Sequence, residues 1–146
     1  MLTEAQILEK FRSRLHCSQV VLGELAEDLG YDKEEAYRIA CPFGGGMSQG
    51  ETCGCVTGAL MAIGMAYGND QPGNLEQDQR CQEKAKQFRD AFVERNGSAI
   101  CREILGYDFR DPEQRQAARE NGTVFATCPK LAKDAIEIAS QLIQEA

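Results

Sequence analysis

The chain has 146 residues, a formal net charge of −7 and no block of lysine or arginine, so it has the size of one ordinary domain and lacks the basic footprint that nucleic acid requires. Seven cysteines with a single histidine exclude a Cys2His2 zinc finger, and the absence of any Cys-x-x-Cys pair excludes thioredoxin-type and c-type haem motifs. The odd cysteine count argues against a disulfide framework, and the start lacks a basic n-region followed by an apolar stretch, so a cytoplasmic chain using thiols for metal or redox chemistry is expected.

Thr3-Glu4-Ala5-Gln6 has the pattern of a capping box, which satisfies two orphan donors at a helix start. The spacing predicts one helix from there to about Asp28, with Ile7, Phe11, Leu15, Ser18, Leu22, Leu25 and Leu29 as its core stripe. Cys17 then falls on the flank of that stripe, and His16 lies on the opposite face as a solvated histidine. Gly30 ends the helix. Asp32, with Glu35 three positions on, opens a short second one to about Ala40, closed by Cys41-Pro42. Gly45 to Thr52 mimics a phosphate-binding loop, but Glu51 stands where such a loop needs lysine. The glycines of Gly44 to Gly50 are expected instead to take positive φ and to pack close to a bulky group.

Cys53 to Gly68 contains no charged residue, and its sixteen positions fall short of a bilayer span of roughly 18–20. With four glycines it is expected to be a helix only if its neighbours bury it, so it is predicted as the buried centre of the fold. Gly54, Gly58 and Ala62 recur at i, i+4 and i+8, leaving one face nearly bare for the close approach of another backbone, or for a homodimer. After the connector Asn69 to Gly73, Asn74 with Gln77 starts a fourth helix ending near Asn96-Gly97, with Cys81, Ala85, Phe88 and Phe92 on its apolar face. Ser98 caps a fifth helix, stopped by Gly106. Asp111-Pro112 opens a sixth, ended by Asn121-Gly122. A last helix is expected from Pro129 to about Gln144, with Cys128 at its N-cap. No period-2 run and no repeat occurs. The expected class is all-α: a compact bundle of about six or seven helices around a buried glycine-rich helix, one domain over 1–146.

Three cysteines share an address in this scheme: Cys53 and Cys101 in first turns, and Cys128 at a cap. A helix N-terminus offers unpaired N–H groups and about half a positive charge, which favours thiolate. Thiolates are the ligands of soft metals and iron–sulfur clusters, and Cys17 is the candidate fourth member. Cys41 and Cys81 read more simply as small hydrophobes. The residues alone describe a cysteine-rich helical protein with a metal or redox site.

Cys17-Ser18-Gln19, Phe43-Gly44-Gly45-Gly46-Met47, Gly50-Glu51-Thr52-Cys53-Gly54, Thr57-Gly58-Ala59-Leu60-Met61, Cys101-Arg102-Glu103-Ile104-Leu105-Gly106-Tyr107-Asp108 and Cys128-Pro129 resemble, in this order, the redox-active protein family named for its C_GCAxxG_C_C cysteine pattern. A related domain accompanies haems in split-Soret cytochromes c, where it looks like an iron–sulfur site. No haem-attachment motif is present here, so only the cluster carries over. The resemblance implies a cluster held by Cys17, Cys53, Cys101 and Cys128, with [2Fe–2S] the first expectation and [4Fe–4S] or a larger cluster the others. It implies an electron carrier or redox sensor rather than an enzyme, one that docks a redox partner protein. Cys55 stands where many members have alanine, and Cys41 and Cys81 are additions, so these three are further candidate ligands. Residues two apart in a regular helix point about 200° away from each other, so Cys53 and Cys55 bind together only at an irregular turn. The alternative is metal-free thiol–disulfide chemistry or peroxide sensing, with Cys53 attacking and Cys55, Cys101 or Cys128 resolving. A structural zinc site is a third expectation.

Overall fold

The computed structural model describes residues 1–146 and contains eight α-helices and no sheet. The capping box forms: the Gln6 N–H donates to the Thr3 hydroxyl and the Thr3 N–H to the Gln6 side chain, starting α1 (Glu4–Arg12). The expected long first helix then breaks. Arg14 adopts φ +73°, and a new helix, α2 (Cys17–Asp28), begins three residues later. Gln19 decides the restart, because its side-chain oxygen accepts the His16 N–H at 2.8 Å and satisfies an orphan donor at the new N-terminus. Ile7, Phe11, Ser18, Leu22 and Leu25 are buried all the same.

Asp32 caps α3 (Lys33–Ala40) by accepting the Glu35 N–H. A tight turn at Cys41–Phe43 follows, and then the glycine loop. Gly45, Gly46, Met47 and Ser48 all have φ near +60°, one turn of left-handed backbone. Then come α4 (Gly54–Tyr67), α5 (Leu75–Asn96), α6 (Cys101–Leu105), α7 (Pro112–Glu120) and α8 (Thr123–Gln144). The helix count exceeds the expected six or seven because the first predicted helix is two.

The last helix also differs from expectation. It begins at Thr123, behind Gly122 at φ +83°, so Pro129 lies inside it rather than at its start. The Ala126 N–H already bonds the Gly122 carbonyl at 2.9 Å, so Cys128 lies beyond the orphan N–H groups and is not a cap.

α4 packs against α2, α5 and α8, and the buried apolar residues form one continuous core. Its bare face meets α2: a Cβ on Gly58 would stand 2.8 Å from the Ser18 carbonyl oxygen. The close approach expected of Gly54 and Gly58 is therefore made within the chain, and that face is not free for a second copy. Ser18, fully buried, donates to the Ala40 carbonyl at 2.7 Å, and Gln19 donates to the Tyr37 carbonyl at 3.0 Å, so α2 is tied to the end of α3. At the other end of α4, the Tyr67 hydroxyl donates to the Leu142 carbonyl of α8. No helix is long and apolar enough to cross a membrane.

Candidate cysteine-lined site

The site starts from two backbone hydrogen bonds. The Cys53 N–H donates to the Ala99 carbonyl at 2.7 Å, and the Cys101 N–H to the Glu51 carbonyl at 2.6 Å. This single antiparallel bridge, centred on Thr52 and Ile100, sets the starts of α4 and α6 side by side. Cys53 is the N-cap of α4 and Cys101 the first residue of α6. Ser98 is not the cap expected of it: the N-cap is Ile100, and Ser98, two residues earlier, accepts the Ile100 N–H and donates to Glu103.

Cys17 reaches the same place from α2. The break after α1 makes it the first residue of a helix instead of a flanking position in the middle of one. Its sulfur lies against Gly54 so closely that a Cβ there would collide with it. Cys128 arrives from the second turn of α8. Cys17, Cys53, Cys101 and Cys128 thus come from four helices and line one cavity of about 400 Å³.

The other three cysteines lie elsewhere. Cys55, the second residue of α4, is fully buried outside the cavity lining. Cys41 is exposed in the tight turn after α3, so it is not the buried hydrophobe expected of it. Cys81 is half-buried on α5, against the core. All seven are free thiols.

The electrostatics follow from this layout. The Cys17 thiol is lowered to about 7, first by a hydrogen bond from the Cys55 thiol and then, against the cost of burial, by the N–H groups of Gly45, Ser18 and Gly54. Two helix starts and the left-handed loop therefore converge on one sulfur. Cys55 is raised, because as a thiol it donates to Cys17 and Cys53 and because it is buried. Burial, then the negative charge of Cys53 and Cys17, pushes Cys101 up to about 12. Burial also raises Cys128, with Cys17, Cys53 and Cys101 adding to it and Arg119 opposing. His16, beside the cavity, is lowered by burial and by Arg119.

The glycine loop forms the rim. A Cβ at Gly44 would meet the His16 side chain at 2.5 Å, one at Gly45 the Phe109 ring at 3.0 Å, and one at Gly46 the Glu51 backbone. The bulky neighbours expected of these glycines are therefore a histidine, a phenylalanine and the chain itself. Gly45, Gly46 and Gly50 have positive φ; Gly44 does not.

The four thiols surround a space rather than a point. No three His, Cys, Asp or Glu side chains stand close enough together to hold a single metal ion. Sequence reasoning passed over several residues of the site. Gln19, at the third position of a helix, was a legible restart signal. Arg14, Arg115 and Arg119, which line the cavity, gave no signal, because α7 and the α1–α2 link approach the thiols only in three dimensions.

The arrangement defines an all-helical, cysteine-rich protein in which four thiols from distant segments line one cavity beside a glycine-rich loop, three of them at helix starts. The chain belongs to the family described as "Putative redox-active protein (C_GCAxxG_C_C)", whose pattern matches residues 15–142. Comparison with curated proteins and with solved structures yields no match.

Proposed function

We propose that this chain is an electron carrier or redox sensor that holds an iron–sulfur cluster in the cysteine-lined cavity, with Cys17, Cys53, Cys101 and Cys128 as its ligands. One observation carries this reading: four thiols from four helices line a single cavity whose wall contains no carboxylate. A four-thiolate set is the usual complement of both [2Fe–2S] and [4Fe–4S] clusters, and we take [2Fe–2S] first. Thiols spread around a cavity suit a polynuclear centre better than a lone zinc ion, whose four sulfurs crowd about one atom at roughly 2.3 Å. The N–H groups of Gly45, Ser18 and Gly54 stabilise the Cys17 thiolate, and Cys55 donates to Cys17 and Cys53 from outside the lining. Such hydrogen bonds to ligand sulfurs tune the potential of a bound cluster, which would supply one-electron chemistry. Seven free thiols suit a reducing compartment, and an acidic surface suits a basic redox partner.

Protein purified without oxygen is expected to be brown, with visible charge-transfer absorption and matching iron and sulfide. Serine at 17, 53, 101 or 128 is expected to bleach it, and serine at 41 or 81 to leave it coloured. Paramagnetic resonance of the reduced protein assigns the cluster type. Colourless, iron-free protein after anaerobic reconstitution overturns the reading.

A second reading starts from the Cys17 thiol, lowered to about 7 with the Cys55 thiol as its first cause. In metal-free protein the Cys17 thiolate would attack a peroxide oxygen, releasing one water as a sulfenic acid forms. The Cys55 thiol would then displace the second water and close a disulfide. Here Cys17 takes the attacking role expected of Cys53. Loss of two thiols per chain on oxidation, mapped to Cys17 and Cys55 and reversed by reductant, supports it; unchanged thiols exclude it.

A further inference from the structure

The thiols are not the only polar groups of the cavity. Arg14, Arg115, Arg119 and His16 also line it, and no aspartate or glutamate lines any part of it, although the chain has 23 acidic residues against 16 lysines and arginines. Neither Arg14 nor Arg119 is among the residues that form ion pairs. The Arg115 guanidinium donates to the Phe109 carbonyl at 2.7 and 3.3 Å, which fixes it in place and leaves donors over. Arg115 and Arg119 are four apart on α7, so the two cations share a face, and like charges at that spacing oppose each other. The charge of Arg119 acts on both His16 and Cys128, lowering the first and opposing the rise of the second. Arg14 is held at φ +73°, where a side chain is strained and glycine is not. Beside these cations the wall is apolar, with Phe109, Phe125, Ile104 and Leu105.

We propose that this cavity binds a small organic anion, its carboxylate or phosphate head on Arg14, Arg115 and Arg119 and its apolar part on Phe109 and Phe125, beside the thiols. Guanidinium forks match such heads in geometry and charge. A volume of about 400 Å³ lies within the range of small-molecule sites, and the four-atom core of a [2Fe–2S] cluster fills only part of it. The inference extends the proposed function but rests on the arginines and the cavity, not on the cluster.

The test is calorimetric titration of the full chain, with and without iron, by benzoate, phenyl phosphate and inorganic phosphate at fixed ionic strength. Saturable binding of one benzoate or phenyl phosphate per chain is expected, tighter than inorganic phosphate, and the stronger of the two names the head group. R119Q and R14G are each expected to weaken it about tenfold, the loss of one charged hydrogen bond, while R80Q, on α5, leaves it unchanged. R14G removes the cation and the backbone strain together, so weaker binding by a chain of equal or higher stability is not misfolding. Absence of saturable binding, or equal binding by R119Q and R14G, overturns the inference. Brown protein that binds no anion overturns this inference alone. Colourless protein that binds the anion, with loss in both variants, supports it and overturns only the cluster.

Discussion

Gly54 lies directly against the Cys17 sulfur, so the first residue of α4 can carry no side chain while the first residue of α2 carries that thiol. The same position is within 3.1 Å of the Phe43 carbonyl and the Ser18 nitrogen for any added Cβ. Helix propensity alone predicts that alanine at a helical glycine gains about 1 kcal/mol. The contact predicts the reverse for Gly54→Ala and Gly58→Ala, a loss of about 1–3 kcal/mol from overpacking. Gly64→Ala is the control, since nothing lies within 4 Å of its added Cβ, and it is expected to gain about 1 kcal/mol. Denaturant unfolding of the three variants measures the difference in sign.

The left-handed turn makes a second asymmetry. Ser48, at φ +57°, carries a strain that glycine does not, so Ser48→Gly is expected to stabilise by up to about 1 kcal/mol. Gly46→Ala is expected to destabilise, because its Cβ would run into the Glu51 backbone and lie 3.0 Å from the Cys101 Cβ. Thermal unfolding of both shows whether the loop holds this conformation.

Cys17 sets a pH dependence in metal-free protein. Its pKa is lowered to about 7, so the reactive thiolate appears as pH rises through 7, earlier than a free thiol at about 8.5. Alkylation of Cys17 by iodoacetamide is expected to show a midpoint near 7. Cys55→Ala removes the largest cause of the shift and moves that midpoint upward. Mass-spectrometric mapping of the labelled thiol reads both, and an unchanged midpoint in the variant refutes the hydrogen bond.

Ser18 donates to the carbonyl of Ala40, a buried residue, from a fully buried hydroxyl. Ser18→Ala leaves that carbonyl unpaired and is expected to cost about 1–3 kcal/mol. Denaturant unfolding measures it, and a loss well under 0.5 kcal/mol would mean that the carbonyl finds another donor.

Much of the fold is legible because its signals are local. Thr3 with Gln6, Asp32 with Glu35, Asn74 with Gln77 and Asp111 before Pro112 each cap the helix they announce, since a cap involves only residues two or three apart. Gly97 and Gly106 end helices at positive φ for the same reason. Two of the misread boundaries are places where non-local forces win. The apolar stripe from Ile7 to Leu25 runs through the break at Arg14, because α1 and α2 both face the core and the period survives a change of direction. Pro129 suits a first helical position, yet α8 starts six residues earlier, where Thr123 donates to the Asn121 side chain and burial of Leu131, Ala135 and Ile138 anchors the helix beyond.

By itself the chain's order of residues determined an all-helical protein, most of its caps, its family pattern and the places of Cys53 and Cys101 at helix starts, because each of these is written within a few positions; it misplaced Cys17, which opens a helix, and Cys128, which does not. Only the tertiary structure decided that Cys17, Cys53, Cys101 and Cys128 line one cavity, that Cys41, Cys55 and Cys81 do not, and that arginines share the space. The bridge between Thr52 and Ile100 and the bare face of α4 against α2 bring those sulfurs in from segments up to 111 positions apart (17 to 128), and no local periodicity records contacts of that range.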